Sequence, residues 1–222
     1  MSAASITQPI RPTLKRRGLM LILASPPGGG KTTISRELMA TDDHTVVSVS
    51  ATTRAPRPGE VNGEHYHFIP PQKFQDMIDK GEMMEYALVY NNHLYGTPRA
   101  PVEKALSEGK DVIFDIDWQG MRKLTEQMRD DVVSIFILPP TWEELENRLR
   151  TRAQDSEQEI VRRLGKAQEE ISHYGEFQYV VINKDLETSM HKVRSILLAE
   201  RLKRSRLTGL QDFISTLKPA KA

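Results

Sequence analysis

Residues 19–41 constrain the fold more than any other stretch of the chain. Leu19-Met20-Leu21-Ile22-Leu23-Ala24 is an unbroken apolar run, long enough for a buried strand and far short of the ~20 residues needed to cross a bilayer. It passes directly into Ser25-Pro26-Pro27-Gly28-Gly29-Gly30-Lys31-Thr32-Thr33, after which Ile34, Leu38 and Met39 fall on one face of a helix. Strand, glycine loop, Gly-Lys-Thr and helix, in that order, make a phosphate cradle. The glycines let backbone N–H groups wrap an anion, and the helix N-terminus adds positive potential. Lys31 can reach the β and γ phosphates, and the Thr32 hydroxyl can hold Mg2+. Ser25 stands where glycine is usual, and Pro27 removes one donor. Pro27, Gly28, Gly29, Gly30, Lys31, Thr32 and Thr33 are the candidate contacts to a nucleoside triphosphate, with Lys31 also the first catalytic candidate.

Four further segments read as strands: Thr45–Ser50, Asp111–Ile116, Val132–Leu138 and Tyr179–Ile182. Most are continuous in Val, Ile, Leu or Phe, the pattern of strands buried on both faces of a parallel sheet covered by helices. The fold class is α/β with a parallel five-stranded sheet. Helix starts are marked by Thr141–Glu144 and Ser156–Glu159, both Ser/Thr-x-x-Glu capping boxes, and a last long helix is expected over Ser189–Arg204. Residues 51–100, rich in Pro, Gly and Tyr, and residues 148–163, dense in arginine, break the alternation and read as insertions on the core.

The chain of 222 residues holds no cysteine, which excludes a disulfide scaffold, a thiolate metal site and a cysteine nucleophile. A net charge of +1 argues against nonspecific nucleic-acid or anionic-membrane binding as the main task. The charge is uneven: residues 1–17 and 200–222 each carry +4, leaving −7 for 18–199. Residues 1–17 read as a disordered basic tail, and 207–222 as an amphipathic segment built on Leu210, Phe213, Ile214 and Leu217. A soluble, cytoplasmic protein is expected.

Two arginines three apart, Arg54 and Arg57, lie on the proline-rich stretch after the second strand. Alone, such a pair is more often solvated. Its position past a strand end, in a sheet whose first strand end already holds phosphate, points to a second anion site. The run Val112-Ile113-Phe114-Asp115-Ile116-Asp117 ends an apolar strand in two carboxylates expected on one face, Asp115 buried and supporting Mg2+ through water, Asp117 farther out toward a base. His65 and His67 read as a surface pair, and Trp118 and Trp142 as packing at the sheet rim.

These strings, with Ser48–Arg57, Pro58-Gly59-Glu60-Val61-Asn62-Gly63-Glu64-His65-Tyr66, Tyr95-Gly96-Thr97, Asp115-Ile116-Asp117-Trp118-Gln119-Gly120 and Ile135-Phe136-Ile137-Leu138-Pro139-Pro140, resemble guanylate kinase over residues 18–206. The resemblance implies a P-loop kinase core (18–50 and 101–206), a small mixed GMP-binding insertion (51–100) and a helical lid (148–163). It implies transfer of the ATP γ-phosphoryl group to GMP, and by extension dGMP, with Mg2+ as the cofactor accompanying ATP. Arg54, Arg57 and Tyr66 match positions that bind the GMP phosphate, with Tyr95 beside them. Ser50, Glu85, Thr97 and Asp117 match those that read guanine, and Asp115 completes the GMP-side set. Arg148, Arg152 and Arg163 match lid arginines and join Lys31 and Arg54 as catalytic candidates, while Asn183 matches a position near the adenine. Partners are ATP and GMP, with no nucleic acid or membrane, and either a monomer or a homo-oligomer is compatible. A guanylate-kinase-like binding module, which holds a partner peptide in place of GMP, is the competing class. The intact Gly30-Lys31-Thr32 and the lid arginines favour the enzyme.

Overall fold

A computed structural model describes residues 14–89, 93–152 and 156–217, with the backbone alone for Val89 and Arg152. The elements begin β1 (Met20–Ala24), α1 (Lys31–Thr41), β2 (Thr45–Val47), β3 (Ala51–Thr52), β4 (His67–Phe68), α2 (Pro71–Asp79), β5 (Met83–Val89) and β6 (His93–Pro98). They continue with α3 (Arg99–Ser107), β7 (Asp111–Phe114), α4 (Trp118–Met128), β8 (Val132–Leu138), α5 (Trp142–Arg152), α6 (Glu157–Ser172), β9 (Tyr179–Ile182), α7 (Leu186–Arg201) and α8 (Leu210–Thr216).

The main sheet is parallel with strand order β2-β7-β1-β8-β9. Its central strand β1 is buried throughout, and alternate residues feed opposite layers as the period of two requires. Leu19, Leu21 and Leu23 pack with Ile34 and Leu38 of α1 and with Met190, Val193 and Leu197 of α7. Met20, Ile22 and Ala24 pack on the other face with Val102 and Leu106 of α3 and Met121 and Leu124 of α4. At ~1.5–3 kcal/mol for each fully buried large apolar side chain, these two layers dominate the folding free energy. Edge strands show weaker continuity: Val47 of β2 and Val180 and Ile182 of β9 remain exposed.

Residues 51–98 form a second, mixed sheet of order β4-β3-β6-β5, covered by Phe74 of α2 packed on Ala51 and Met83. Gly96 is required where β6 meets β5, since a Cβ there would lie 2.7 Å from the Glu85 carbonyl oxygen and 3.0 Å from the Phe74 ring.

Several sequence expectations shift at their ends. The second strand stops at Val47 rather than Ser50, and the third core strand at Phe114 rather than Ile116, so Asp115 and Asp117 lie in the turn beyond it. The last long helix starts at Leu186, capped by the Asp185 carboxylate accepting from the Thr188 N–H at 2.7 Å, and ends at Arg201. Thr141 and Ser156 cap as expected, accepting from the backbone N–H of Glu144 at 3.1 Å and of Glu159 at 3.4 Å.

Arg16 and Arg17, expected in a disordered tail, are built into the fold. Arg16 forks onto the fully buried Asp111 carboxylate at 2.6 and 3.1 Å, which also accepts from Arg201 at 2.6 Å and from the Leu19 N–H at 3.1 Å. Arg17 reaches Asp131 and Glu103. This ion network ties the segment before β1 and the end of α7 to the start of β7. Residues 1–13 and 218–222 lie outside the described residues, and Phe213 and Ile214 on α8 and Leu217 just past it stay exposed.

Candidate active site

In a parallel sheet the crevice beyond the carboxyl ends of the strands collects loops from alternate crossovers. Here those ends deliver the 25–30 loop after β1, Asp115–Asp117 after β7 and Asn183 after β9. Gly28 (φ 86°) and Gly30 (φ 101°) adopt left-handed backbone conformations, which turn the loop into the N-terminus of α1.

Asn183 holds that loop in place. Its side chain is buried, its Nδ2 donates to the Gly29 carbonyl at 2.9 Å and its Oδ1 accepts from the Ser189 hydroxyl at 2.9 Å. Its own carbonyl accepts from Arg148 Nη2 at 3.2 Å, and Arg148 Nε donates to Glu144 at 2.8 Å. A cavity of about 320 Å³ opens here, lined by Gly28, Gly30, Thr33, Arg148, Asn183 and Leu186 among others. Lys31 Nζ is paired with Asp115, so the glycine loop and the end of β7 are linked by an ion pair. Asp115 is not buried: its side chain is 65% exposed, because the strand ends before it.

A second cavity, of about 520 Å³, lies between the small sheet and α4. Ser50, Arg54, Arg57, Tyr66, Glu85, Tyr95, Asp115 and Asp117 all line it, so eight of the nine residues expected on the GMP side meet in one space. The ninth, Thr97, is fully buried and donates its hydroxyl proton to Glu85 at 2.8 Å. Burial pushes the Glu85 carboxyl above the ordinary carboxylate range; the Thr97 hydrogen bond and the Lys123 ammonium pull it down, and Asp117 pushes it up.

Arg54 is held firmly. It forks onto Glu60 at 2.8 and 2.9 Å, donates from Nε to the Tyr95 hydroxyl at 3.1 Å, and sits 5.4 Å from the Tyr66 ring centroid. The Arg54 guanidinium and the Arg57 backbone N–H, which donates at 2.7 Å, draw the Glu60 carboxyl down to about 2. Asp117 caps α4, accepting from the Gly120 N–H at 3.0 Å through one carboxylate oxygen.

Of the lid candidates, Arg148 lines the first cavity and Arg163 hydrogen-bonds Glu159 at 3.2 Å without lining either cavity. The Arg152 side chain and residues 153–155 lie outside the described residues. Trp118 packs as expected, stacked 3.6 Å from the His173 ring.

Sequence reasoning did not single out Glu60, Ser189 or Lys123. Helical period could have found Lys123, since Asp117, Gly120 and Lys123 recur at intervals of three and all line the second cavity. Glu60 and Ser189 carried no signal, because Glu60 meets Arg54 across a loop and Ser189 reaches back from the start of α7 to Asn183 at the end of β9.

A family model described as guanylate kinase matches residues 17–200. A guanylate kinase from Paramagnetospirillum magneticum is 55% identical over 207 residues, covering 93% of this chain and 96% of that protein. One from Rhodospirillum rubrum is 54% identical over 220 residues, covering 99% of each. The crystal structure of guanylate kinase from Anaplasma phagocytophilum superposes with a TM-score of 0.71 at 36% identity, covering 94% of this chain and 99% of that one. With the phosphate loop, the arginine-lined second cavity and this near-full-length similarity in agreement, the chain belongs to the guanylate kinase family.

Proposed function

We infer that this protein phosphorylates GMP to GDP at the expense of ATP, by direct in-line transfer of the γ-phosphoryl group. The family supports the reaction. The residue roles rest chiefly on one observation: a buried carboxylate held by a threonine and a pair of arginines line the same cavity, one ion pair away from a phosphate loop.

Guanine presents adjacent N1–H and N2–H donors. Glu85, oriented by Thr97, can accept from both, and Asp117 keeps one oxygen beyond the Gly120 N–H it already accepts. Adenine lacks that paired donor edge and would leave the buried carboxylate with the Thr97 hydroxyl but without the two donors that guanine brings. Ser50 completes the base-reading set. Arg54, Arg57, Tyr66 and Tyr95 receive the phosphate, Arg54 being held in place in advance by Glu60 and Tyr95.

The GMP phosphate is the nucleophile and is already ionised at neutral pH, so no general base is required. Catalysis rests on alignment and on positive charge around the moving group. Lys31, Arg54, Arg148, Arg152 and Arg163 supply that charge. Pro27–Thr33 cradle the triphosphate and Asn183 holds the cradle. Lid residues 148–163 close to exclude water, which would otherwise accept the phosphoryl group.

The Thr32 hydroxyl and the exposed Asp115 carboxylate are hard oxygen donors suited to Mg2+ and its waters. Bound there, the ion would neutralise charge on the β and γ phosphates. Among the described residues no helix is long and apolar enough to cross a membrane, and the protein is proposed to work in the cytoplasm.

Lys31→Ala tests the reading. Turnover should fall by ~10²-fold or more, since the contact strengthens in the transition state, while GMP binding measured by calorimetry stays within about twofold. A variant with near-native turnover would overturn the assignment.

A further inference from the structure

The two carboxylates assigned above to guanine lie on different elements, Glu85 on β5 and Asp117 at the cap of α4, and one side chain joins those elements. Lys123 projects from the helix stripe that begins with Asp117 and Gly120, and it lines the 520 Å³ cavity with both. Its Nζ donates to the Tyr86 carbonyl at 2.6 Å and sits 5.7 Å from the Tyr86 ring centroid.

The place of that hydrogen bond matters. β5 is the outer strand of its sheet, paired with β6 on one side, with a register shift between Met83 and Glu85. An edge strand offers unpaired carbonyls on its free side, and next to an irregularity the ladder alone fixes its side chains poorly. Lys123 takes the carbonyl of the residue directly after Glu85, so the strand is pinned where the base-reading carboxylate emerges.

The charge of Lys123 matters as well. Glu85 is 8% exposed, and the charged groups of α4 that act on it are Lys123, which attracts, and Asp117, which repels. From β6 it meets the Thr97 hydroxyl, which carries no charge. Arg54, across the same cavity, is matched by Glu60. Arg57 lines the same cavity, and Lys123 is the cation that acts on Glu85 against the repulsion of Asp117.

We propose that Lys123 is a positioning and specificity-determining residue of the guanine pocket: it clamps the edge of β5 to α4 and offsets the charge that Asp117 sets against Glu85. The proposal rests on the assignment of Glu85 to guanine. It differs from a lysine that merely solvates a helix face in two respects, since it ties GMP recognition to a lysine bound to the backbone of β5 and predicts a change in pH profile. Burial favours a protonated Glu85 carboxyl, and the ammonium opposes it. Removing that cation lets the carboxyl keep its proton to higher pH, where it no longer accepts two donors.

The test uses the full chain with Lys123→Met, Lys123→Gln, Lys123→Arg, Glu85→Gln and the double variant Lys123→Met/Glu85→Gln, in steady-state kinetics across the range where carboxyls titrate. Lys123→Met should raise the KM for GMP ~5- to 20-fold at neutral pH and move the acid limb of kcat/KM for GMP to higher pH, with the KM for ATP within about twofold of wild type. Lys123→Gln keeps a donor for the Tyr86 carbonyl without the charge and should move the limb as far, while Lys123→Arg should return it most of the way. In the Glu85→Gln background Lys123→Met should leave the limb where it was. The titrating phosphate of GMP is common to every variant and cancels. A wild-type GMP KM and acid limb in Lys123→Met would overturn the proposal, as would the same limb shift persisting without the Glu85 carboxylate. An unchanged preference for GMP over AMP in Glu85→Gln alone would instead overturn the assignment of Glu85 itself.

Discussion

Asn183 offers the sharpest separation between a nucleotide contact and a structural tether. Its amide joins the Gly29 carbonyl of the phosphate loop to the Ser189 hydroxyl of α7, each at 2.9 Å, and all three residues are part of a buried junction at the end of β9. Replacing it with alanine strands a carbonyl and a hydroxyl, each costing ~1–3 kcal/mol when left buried without a partner. The vacated space borders the 320 Å³ cavity, so water can enter and recover part of that cost, which puts the expected loss near ~2 kcal/mol. For a chain of this size ~2 kcal/mol corresponds to a fall in Tm of about 4–8 °C. Calorimetry of the free protein reads that value directly. Kinetically, the freed loop should raise the KM for ATP and lower kcat while the KM for GMP stays within about twofold, because the second cavity is built from other elements. A variant with unchanged Tm and a raised KM for ATP would refute the tether and leave Asn183 as a simple contact near the adenine.

Two further outcomes follow from the charges. Arg54 and Arg163 are each engaged by a carboxylate of their own segment, Glu60 and Glu159, yet both are assigned to phosphates lying between the two nucleotides. A mimic joining adenosine to guanosine through phosphates should therefore reduce the radius of gyration in solution scattering; superimposable curves with and without it would reject a moving lid. Glu85 gives a pH dependence of stability. Its folded-state carboxyl is raised by burial, so its contribution is fully present below the unfolded value of ~4.3 and is lost as pH rises through the higher folded value. Glu85→Gln should accordingly melt above wild type at neutral pH, with the difference shrinking on acidification toward pH ~4. A difference independent of pH would contradict this.

The parallel sheet was legible because buried strands such as Met20–Ala24 and Val132–Leu138 have no wet face and so no polar interruption, and the phosphate loop because glycine freedom and Gly-Lys-Thr have few other uses. Of the second cavity, the membership was legible and the energetics were not. Arg54 read as a candidate anion ligand, and its place in the cavity lining fits that, but the Glu60 fork that holds it was not readable, since the contact depends on how the chain turns between two residues six positions apart. Asp115 read as a buried strand-end acid because the apolar run continues to Ile116; in the fold the last ladder residue is Phe114, and Asp115 swings out to meet Lys31. Arg16 and Arg17 looked like tail because no local pattern marks their partners, Asp111 and Asp131, which lie 95 and 114 residues away. Asn183 read as a position near the adenine; the structure sets it beside the phosphate loop, and its buried amide bonds to Gly29 and Ser189 required the fold.

The central claim, that a buried carboxylate steadied by Thr97 selects the base, is tested most directly by one comparison. The ADP-releasing rate with GMP and with AMP, at fixed ATP and Mg2+, gives the ratio of kcat/KM values for the wild type and for Glu85→Gln. The wild-type enzyme should be strongly selective for GMP and the variant's GMP-to-AMP ratio should fall by ~10- to 200-fold, the equivalent of about 1–3 kcal/mol of lost discrimination, chiefly through weaker use of GMP. A variant that keeps the wild-type ratio would contradict it.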